Sequence, residues 1–391
     1  MTHVPAEAVR EFAQRGLFPT REQHLVLTAA LMDGERALDA YAQWRRGLNV
    51  AAEFDYEIFR LVPLLYENLR RLGVDDDLTG RLRGAYRMSW AKHHKLAQDT
   101  RPIVEEMLGA GLRVMAVKGA PLGALYYGNP ALRPMSDFDL VVSPRDAASA
   151  IDIVTRRGYV PWRPVNADTL KYRHAMGFKR ADGHEFDLHW HVLFDFCDDG
   201  ADRWFWNGAR PFETLGQTLW APNPTRMLLH TVIHGVRWNV EPPIRWIPDA
   251  LQILRRAGAE IDWRALVGFA EQRSVCRRLW LGLSYMRREF DAEIPQDVLN
   301  RLEHRPLTLL ERIENRIILR SHDEVYAGPM GPVLTEFAPF TRYAHDKGPI
   351  AFLIEFTHYL RYAWQLPRRR DLFGYLLRRS NKRFRRLVHA T

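Results

Sequence analysis

Residues 112–142 read LRVMAVKGAPLGALYYGNPALRPMSDFDLVV, and they contain the clearest structural signals in the chain. Its opening apolar run, 112–117, follows two glycines and ends at Lys118 and Gly119, which predicts a short buried strand that leads into a glycine-bearing turn. A short helix is expected next, over about 121–127. The stretch therefore begins as a strand, a turn and a helix.

The stretch ends in a second predicted strand, DFDLVV, over 137–142. Side chains alternate between the two faces of a strand, so Asp137 and Asp139 share one face and apolar residues occupy the other. Two carboxylates at this spacing lie about 7 Å apart along the strand and can bracket a divalent cation. The D-x-D pair is the first candidate for chemistry.

A third carboxylate follows on a predicted hairpin. The segments LKYRHAMGFKR and EFDLHWHVLF flank a turn centred on Asp182 and Gly183, a strong hairpin signal. In the second arm Asp187, His189 and His191 share one face. On a neighbouring strand Asp187 would complete an oxygen-rich site for Mg²⁺, with Mn²⁺ as the alternative ion. Such sites carry two-metal phosphoryl transfer.

Helical patterns flank the strands on both sides, so the fold class is predicted as α+β, with a small mixed sheet embedded between two helical regions. The predicted segments are an N-terminal helical region, a catalytic core, a C-terminal helical domain and a basic C-terminal helix. Their boundaries are 1–110, 111–222, 223–366 and 367–391.

Composition excludes several classes of protein. With 391 residues, 47% of them hydrophobic, the chain can bury a large core. Its only cysteines, Cys197 and Cys276, exclude a disulfide framework and a cysteine-based metal centre. The N-terminus lacks the apolar core of a signal peptide, and no run is long enough to span a membrane. A cytoplasmic protein is the resulting expectation.

The net charge of +9 suggests a nucleic-acid partner until it is located. Ten of the 56 basic residues but one of the 47 acidic residues lie in 361–391, which leaves 46 of each in the rest of the chain. The charge is therefore information about the C-terminal segment alone. That segment is predicted to be either a helix packed on the core with a solvated basic rim, or a contact for RNA or an anionic membrane surface.

The run 114–142, with FDLHWHV at 186–192, LLHTVIHGVRW at 228–238 and IRWIPDALQIL at 244–254, resembles the largely uncharacterised nucleotidyltransferase family of the DNA polymerase β superfamily. The Lys-Gly opening and the D-x-D strand also resemble, more distantly, abortive-infection nucleotidyltransferase toxins. The resemblance implies that Asp137, Asp139 and Asp187 are the catalytic and metal-binding carboxylates. It also implies an NTP substrate and a third acid that helps activate an acceptor hydroxyl.

The same resemblance matches Gly119 to the glycine of a phosphate-binding turn. Ala120 stands where the superfamily has Ser or Gly, so backbone N–H groups at the start of the next helix would have to contact the triphosphate. Lys118 and Arg133 are the candidates to replace the lost phosphate contacts. Ser136, directly before the acidic pair, completes the predicted nucleotide-binding set. For Arg133 the alternative is a salt bridge to one of the paired acids, Asp137 or Asp139.

Several questions stay open at this point. The histidines His189, His191, His230 and His234 are either functional or structural; the last two are expected to face Asp249 or Arg245 in a buried polar network.

The predicted function is Mg²⁺-dependent transfer of NMP from an NTP to an unidentified small molecule, protein or RNA. The alternatives are a D-x-D glycosyltransferase that uses a sugar nucleotide, and a non-catalytic binding protein on a transferase fold.

Overall fold

The computed structural model describes residues 18–48, 54–237, 243–318, 331–344 and 347–377, and the structural statements below concern these ranges. Five helices come first: α1 (Arg21–Leu31), α2 (Gly34–Gly47), α3 (Tyr56–Phe59), α4 (Val62–Arg71) and α5 (Thr79–Gly109). Helix α1 begins with a capping box in which the side chains of Thr20 and Gln23 accept from each other's backbone N–H. The predicted break near Gly73 separates α4 from α5.

The centre of the molecule is a seven-stranded mixed sheet with the spatial order β3-β4-β5-β2-β1-β7-β6. Its strands are β1 (Met115–Val117), β2 (Asp139–Val141), β3 (Val160–Pro161), β4 (Ala175–Lys179), β5 (Glu185–His189), β6 (Ala209–Thr214) and β7 (Gln217–Pro222). Strand β1 runs antiparallel to β2, and β2 runs parallel to β5. The sheet and its flanking helices confirm the predicted α+β class.

The first two strands are shorter than the sequence predicts. Asp137 and Phe138 precede β2, although the ladder continues beyond its ends through the bonds from Asp187 N to Phe138 O at 3.1 Å and from Val142 N to His189 O at 2.9 Å. The predicted hairpin is present as β4 and β5, with Gly183 at a φ of +86° in the turn. The sequence analysis did not predict the hairpin of β6 and β7.

The two faces of the sheet pack against different hydrophobic cores. Phe138 and Leu140 enter a smaller core together with Phe186 and Leu188 of β5, as the alternation of the sequence predicts. Val141, on the opposite face, belongs to a larger core built mainly by helices. The acidic residues therefore lie on the side of the sheet that faces the helical core.

Over the residues that the structure describes, four α-helices connect the strands and further helices follow the sheet, with residues 371–377 also helical at the end of the last range. The connecting helices are α6 (Gly119–Leu122), α7 (Ala147–Arg156), α8 (Ala167–Tyr172) and α9 (Asp199–Asn207). The C-terminal helices are α10 (Pro224–Gly235), α11 (Trp246–Ala257), α12 (Trp263–Gln272), α13 (Cys276–Phe290), α14 (Gln296–His304), α15 (Leu309–Ile318), α16 (Gly331–Tyr343) and α17 (Pro349–Ala363). Within the described ranges, no helix combines the length and the apolarity needed to cross a bilayer.

The N-terminal and C-terminal helices share one hydrophobic core. The ring of Phe18 stacks on Tyr285 of α13 with 4.5 Å between centroids, and Arg255 of α11 donates to the carbonyl of Leu31 at 2.8 Å. The larger core accordingly runs from Phe18 to Leu302. The predicted segment boundaries stay predictions, and most of the predicted basic helix, 378–391, lies outside the described residues.

Candidate functional site

The register of the three central strands brings the predicted acids together. Val117 pairs with Asp139 between β1 and β2, and Asp139 pairs with Asp187 between β2 and β5. Neighbouring strands lie about 4.8 Å apart, so these two carboxylates project side by side from adjacent strands. Lys118 follows β1 directly, which places its side chain on the other flank of Asp139.

Asp139 is the centre of this group. It is 3% exposed, and its Oδ1 accepts from Lys118 Nζ at 2.5 Å and contacts His189 Nε2 at 3.1 Å. Burial opposes the ionisation of this carboxyl, but Lys118 and His189 outweigh it and hold the pKa of Asp139 well below its usual range. A buried, ionised carboxylate with two hydrogen-bonding partners is the result.

The pKa values of the other two acids, Asp187 and Asp137, are raised. Burial, followed by the negative charges of Asp139 and Asp137, raises the pKa of Asp187 to about 7. Burial and the charge of Asp139 also raise the pKa of Asp137. The three carboxyl groups repel one another, and the charges of Lys118 and, for Asp137, of Arg245 compensate them only in part. This repulsion is relieved by a bound cation or by a retained proton.

The residues present fit a divalent cation. Asp139, Asp187 and His189 each offer one ligand atom, and these atoms lie within 4.8 Å of one another. The Lys118 ammonium contacts Asp139, so a positive charge next to this carboxylate is already present in the site. Carboxylate oxygens suit Mg²⁺ and Mn²⁺, while an imidazole nitrogen favours Mn²⁺ and other transition metals over Mg²⁺.

His189 is one of the four histidines whose role the sequence left open, and it is the one that lies in the acidic cluster. It lies two residues after Asp187 on β5, so both side chains project from the same face, and this spacing was the available signal. Because a carboxylate only accepts, the proton between His189 and Asp139 is on Nε2. Burial lowers the pKa of His189 despite the neighbouring carboxylate, and its Nδ1 is buried without a hydrogen-bond partner.

The other histidines lie outside the acidic cluster. His191 lies beyond the end of β5, and its Nδ1 lies 2.6 Å from Asp202 Oδ2. The rings of His230 and His234 stack at 5.8 Å, and burial lowers the pKa of both. Among the described residues, Asp139, Asp187 and His189 form the only group of three metal-ligating side chains.

The glycine turn leads into the predicted short helical segment, which is part α-helix and part π-helix. Helix α6 has four residues and continues as a π-helical turn over Gly123–Tyr127. Pro121 has no N–H, so Gly119 and Ala120 are the backbone donors in the first turn. A Cβ atom at position 119 would lie 2.7 Å from Met135 Cε, so a larger residue there has to displace that side chain.

Arg133 forms a buried ion pair with Asp249, a partner that was not predicted from the sequence. Its Nε and Nη2 donate to the two carboxylate oxygens of Asp249, each at 2.8 Å, and Tyr127 Oη donates to Asp249 Oδ1 at 2.7 Å. The alternative of a salt bridge to Asp137 or Asp139 is therefore wrong. Within the part of the chain that the structure describes, neither His230 nor His234 forms a hydrogen bond with Asp249 or Arg245, so the expected polar network is not formed. A phosphate contact of Arg133 stays a prediction.

Ser136 lies between this arginine and the acids. It is half-buried in the loop that leads into β2, and its side chain donates a hydrogen bond that lowers the pKa of Asp137, although burial outweighs this effect. Of the predicted set, the structure thus brings Lys118, Asp139 and Asp187 into one cluster. Asp137 and Ser136 lie next to this cluster.

Fold and site together define an α+β protein with an acidic centre on a small mixed sheet. A family described as uncharacterised nucleotidyltransferases matches residues 43–291, well over half of the chain, and the chain belongs to this family. No curated protein matches. Among solved structures, an antigenic nucleotidyltransferase-like protein from Paracoccidioides brasiliensis is similar, with 11% identity and a TM-score of 0.33 over 55% of this chain and 94% of that chain.

Proposed function

We propose that this protein transfers NMP from an NTP to a hydroxyl group of a second substrate, in the cytoplasm and with a divalent cation, Mg²⁺ or Mn²⁺. The observation that carries the proposal is the convergence of Asp139, Asp187 and His189 within 4.8 Å on the sheet of a nucleotidyltransferase-family chain. When bound, the cation would offset the charge of the triphosphate and of the leaving pyrophosphate. Asp139 and Asp187 would hold it, with Asp137 beside them.

Asp187 is proposed to act as the general base. The acceptor oxygen forms a bond to the α-phosphorus, the bond from that phosphorus to the bridging oxygen breaks, and pyrophosphate leaves with the bonding electrons. The proton of the acceptor hydroxyl passes to a carboxylate oxygen of Asp187. The pKa of about 7 belongs to the site without a cation. A bound cation would lower it, so that the carboxyl would be ionised at neutral pH and able to accept the proton.

Lys118 and the turn after it are proposed to position the triphosphate. The Lys118 ammonium is within reach of Asp139, and it lies at the start of the turn whose Gly119 and Ala120 N–H groups can donate to phosphate oxygens. We propose that Arg133 contacts a phosphate group near this turn while its guanidinium stays paired with Asp249. These contacts would leave the acceptor hydroxyl on the side of Asp187.

The proposed function is tested with α-³²P-labelled NTPs, Mg²⁺ or Mn²⁺, and cell extract as the source of acceptor. We expect the purified wild type to transfer label and Asp139→Asn and Asp187→Asn to lose the transfer by at least about a hundredfold. The matched control is Asp152→Asn, an exposed aspartate of α7. Equal transfer by wild type and both active-site variants would overturn the proposal.

A further inference from the structure

A pocket of about 180 Å³ opens beside the acidic cluster, between the N-terminal helices and the loop that leads into β2. Its wall includes Ser136, the residue directly before Asp137, and Met135, which packs against Gly119. Helices α3 and α5 supply the opposite wall. The pocket is therefore lined by the residue before Asp137 and by the side chain that packs against Gly119, although neither the acids nor the turn residues line it themselves.

The lining is positively charged. Arg60, Lys92 and Arg245 contribute to it, and no carboxylate does. Arg60 is compensated, because its Nη1 lies 3.0 Å from Glu57 Oε1. Arg245 donates to the carbonyl of Pro134 at 2.6 Å, and in the described part of the chain neither Arg245 nor Lys92 has an ion-pair partner.

Arg245 is the more unusual of these cations. Burial, followed by the charge of Arg133, lowers the pKa of Arg245 to about 9. The charges of Asp249 and Asp137 offset this effect only in part. A desolvated guanidinium without a carboxylate at ion-pair distance is costly for a folded protein, and an anion brought by a ligand reduces that cost. The charge of the pocket therefore selects an anionic group.

Apart from Ser89 and Ser136, the rest of the lining is mainly apolar, and the pocket has room for one ring. Phe59, Pro63 and Met135 line it, together with Tyr56 and Met88, which are 61% and 53% exposed. A cavity of about 150 Å³ is known to hold benzene, so this volume takes a single flat ring with a small substituent. Exposed aromatic and methionine side chains are surfaces on which such a ring packs.

We infer that this pocket binds the acceptor, and that the acceptor is a small molecule with one flat ring and an anionic group. The inference rests on the proposed function. A donor nucleotide fits the pocket less well, because its base is neutral and its charged triphosphate is needed at the acids and at the turn after Lys118. An RNA or protein acceptor would require a longer open groove than this one-ring pocket.

The experiment uses the full chain and phenyl phosphate as the probe, with isothermal titration calorimetry as the readout. We expect phenyl phosphate to bind and benzyl alcohol, which has the ring without the charge, to bind at least about tenfold more weakly. Arg245→Met should weaken phenyl phosphate binding by about tenfold or more. Lys92→Gln, an exposed change that cannot unfold the chain, should weaken it by about twofold to fivefold.

The matched control is Lys95→Gln, which removes a lysine of the same helix that pairs with Asp99 instead of lining the pocket. Absence of phenyl phosphate binding, or equal binding by the wild type and Lys92→Gln, would overturn the inference. So would competition by ATP together with a parallel loss of ATP affinity in both pocket variants, because the pocket would then hold the donor. Labelling of RNA or protein alone in the transfer assay would also overturn it.

Failure of the pocket inference is separable from failure of the proposed function. A wild type that transfers label through Asp139 and Asp187 but does not bind phenyl phosphate contradicts the pocket assignment alone. Transfer that is independent of both acids contradicts the proposed function, whatever the pocket binds.

Discussion

Asp187 is a carboxyl whose surroundings oppose its own ionisation. Burial and the charges of Asp139 and Asp137 raise its pKa to about 7, whereas an unfolded chain has an aspartate pKa of about 3.9. Between these pH values the folded chain binds a proton that the unfolded chain has released. The free energy of unfolding therefore falls as the pH rises from about 4 to about 7.

Asp187→Asn should remove this pH-dependent penalty. Without added metal, we expect the variant to be more stable than the wild type at pH 8 by roughly 1 to 3 kcal/mol, and nearly equal to it at pH 4. Urea unfolding at the two pH values measures the difference. Asp152→Asn should show no such pH dependence. A variant less stable than the wild type at pH 8 would mean that the ionised carboxylate stabilises the metal-free fold.

Lys118 provides the positive charge next to Asp139. Its side chain is 21% exposed and that of Asp139 is 4% exposed, so removal of the ammonium leaves a nearly buried carboxylate without its main compensating charge. We expect Lys118→Met to lose about 2 to 3 kcal/mol of unfolding free energy without metal, and Lys118→Arg to lose less. Saturating Mn²⁺ should restore part of the stability of Lys118→Met, because the ion then compensates the same carboxylate.

Chemical denaturation with and without Mn²⁺ measures this effect. The double variant Lys118→Met with Asp139→Asn is the control, because it lacks both the ammonium and the charge that the ammonium compensates. A Lys118→Met variant as stable as the wild type in the absence of metal would show that water already compensates Asp139.

At the scale of elements, Asp249 connects helix α11 to the segment between α6 and β2. The carboxylate accepts two hydrogen bonds from Arg133 and one from Tyr127, and all three residues are buried. The loop that positions the acidic pair is thus fixed from the C-terminal helices. Loss of this connection should affect both stability and the placement of Ser136 and Asp137.

Asp249→Asn should cost about 3 to 5 kcal/mol, because it leaves the Arg133 guanidinium buried without a counter-charge. Tyr127→Phe removes one hydrogen bond and should cost about 1 kcal/mol. Thermal unfolding gives the stabilities, and amide hydrogen exchange over 128–138 reports the loop. Unchanged exchange in a destabilised Asp249→Asn variant would contradict a role of the ion pair in fixing the loop.

Some of the strands and turns could be predicted from the local sequence, and others could not. Asp182 and Gly183 specify the turn of the β4–β5 hairpin, so this pairing was predictable from the residues alone. The hairpin of β6 and β7 was missed although Leu215 and Gly216 both have positive φ, because a Leu-Gly turn is a weak signal compared with Asp-Gly. Strand β2 was predicted too long, because the alternation of polar and apolar residues already begins at Asp137, two residues before the strand itself begins.

At the scale of the whole molecule, the N-terminal and C-terminal helices are one packing unit. Phe18 stacks on Tyr285, and His24 Nδ1 lies 3.2 Å from the hydroxyl of the same tyrosine. Segments more than 250 residues apart in the chain thus cover one core. Neither helical region completes that core alone.

Phe18→Ala should therefore destabilise both regions together. We expect a loss of about 3 to 5 kcal/mol for a truncated core phenylalanine and a single unfolding transition for the whole chain. Calorimetry measures the transition, and hydrogen exchange over 263–290 should rise along with that over 21–31. Leu38→Ala, a partly exposed change on α2, is the control. Two separate transitions would contradict a shared core.

The α+β class, the D-x-D pair and the third carboxylate on a hairpin could be predicted from the residues alone. These features depend on strand alternation and turn chemistry, which act over a few residues. The folded chain was needed to show that Lys118 and His189 meet at Asp139, that Arg133 pairs with Asp249, and that Arg245 lines a pocket. Those contacts join segments that are 21 to 116 residues apart, and chain folding, not local propensity, determines which of them meet.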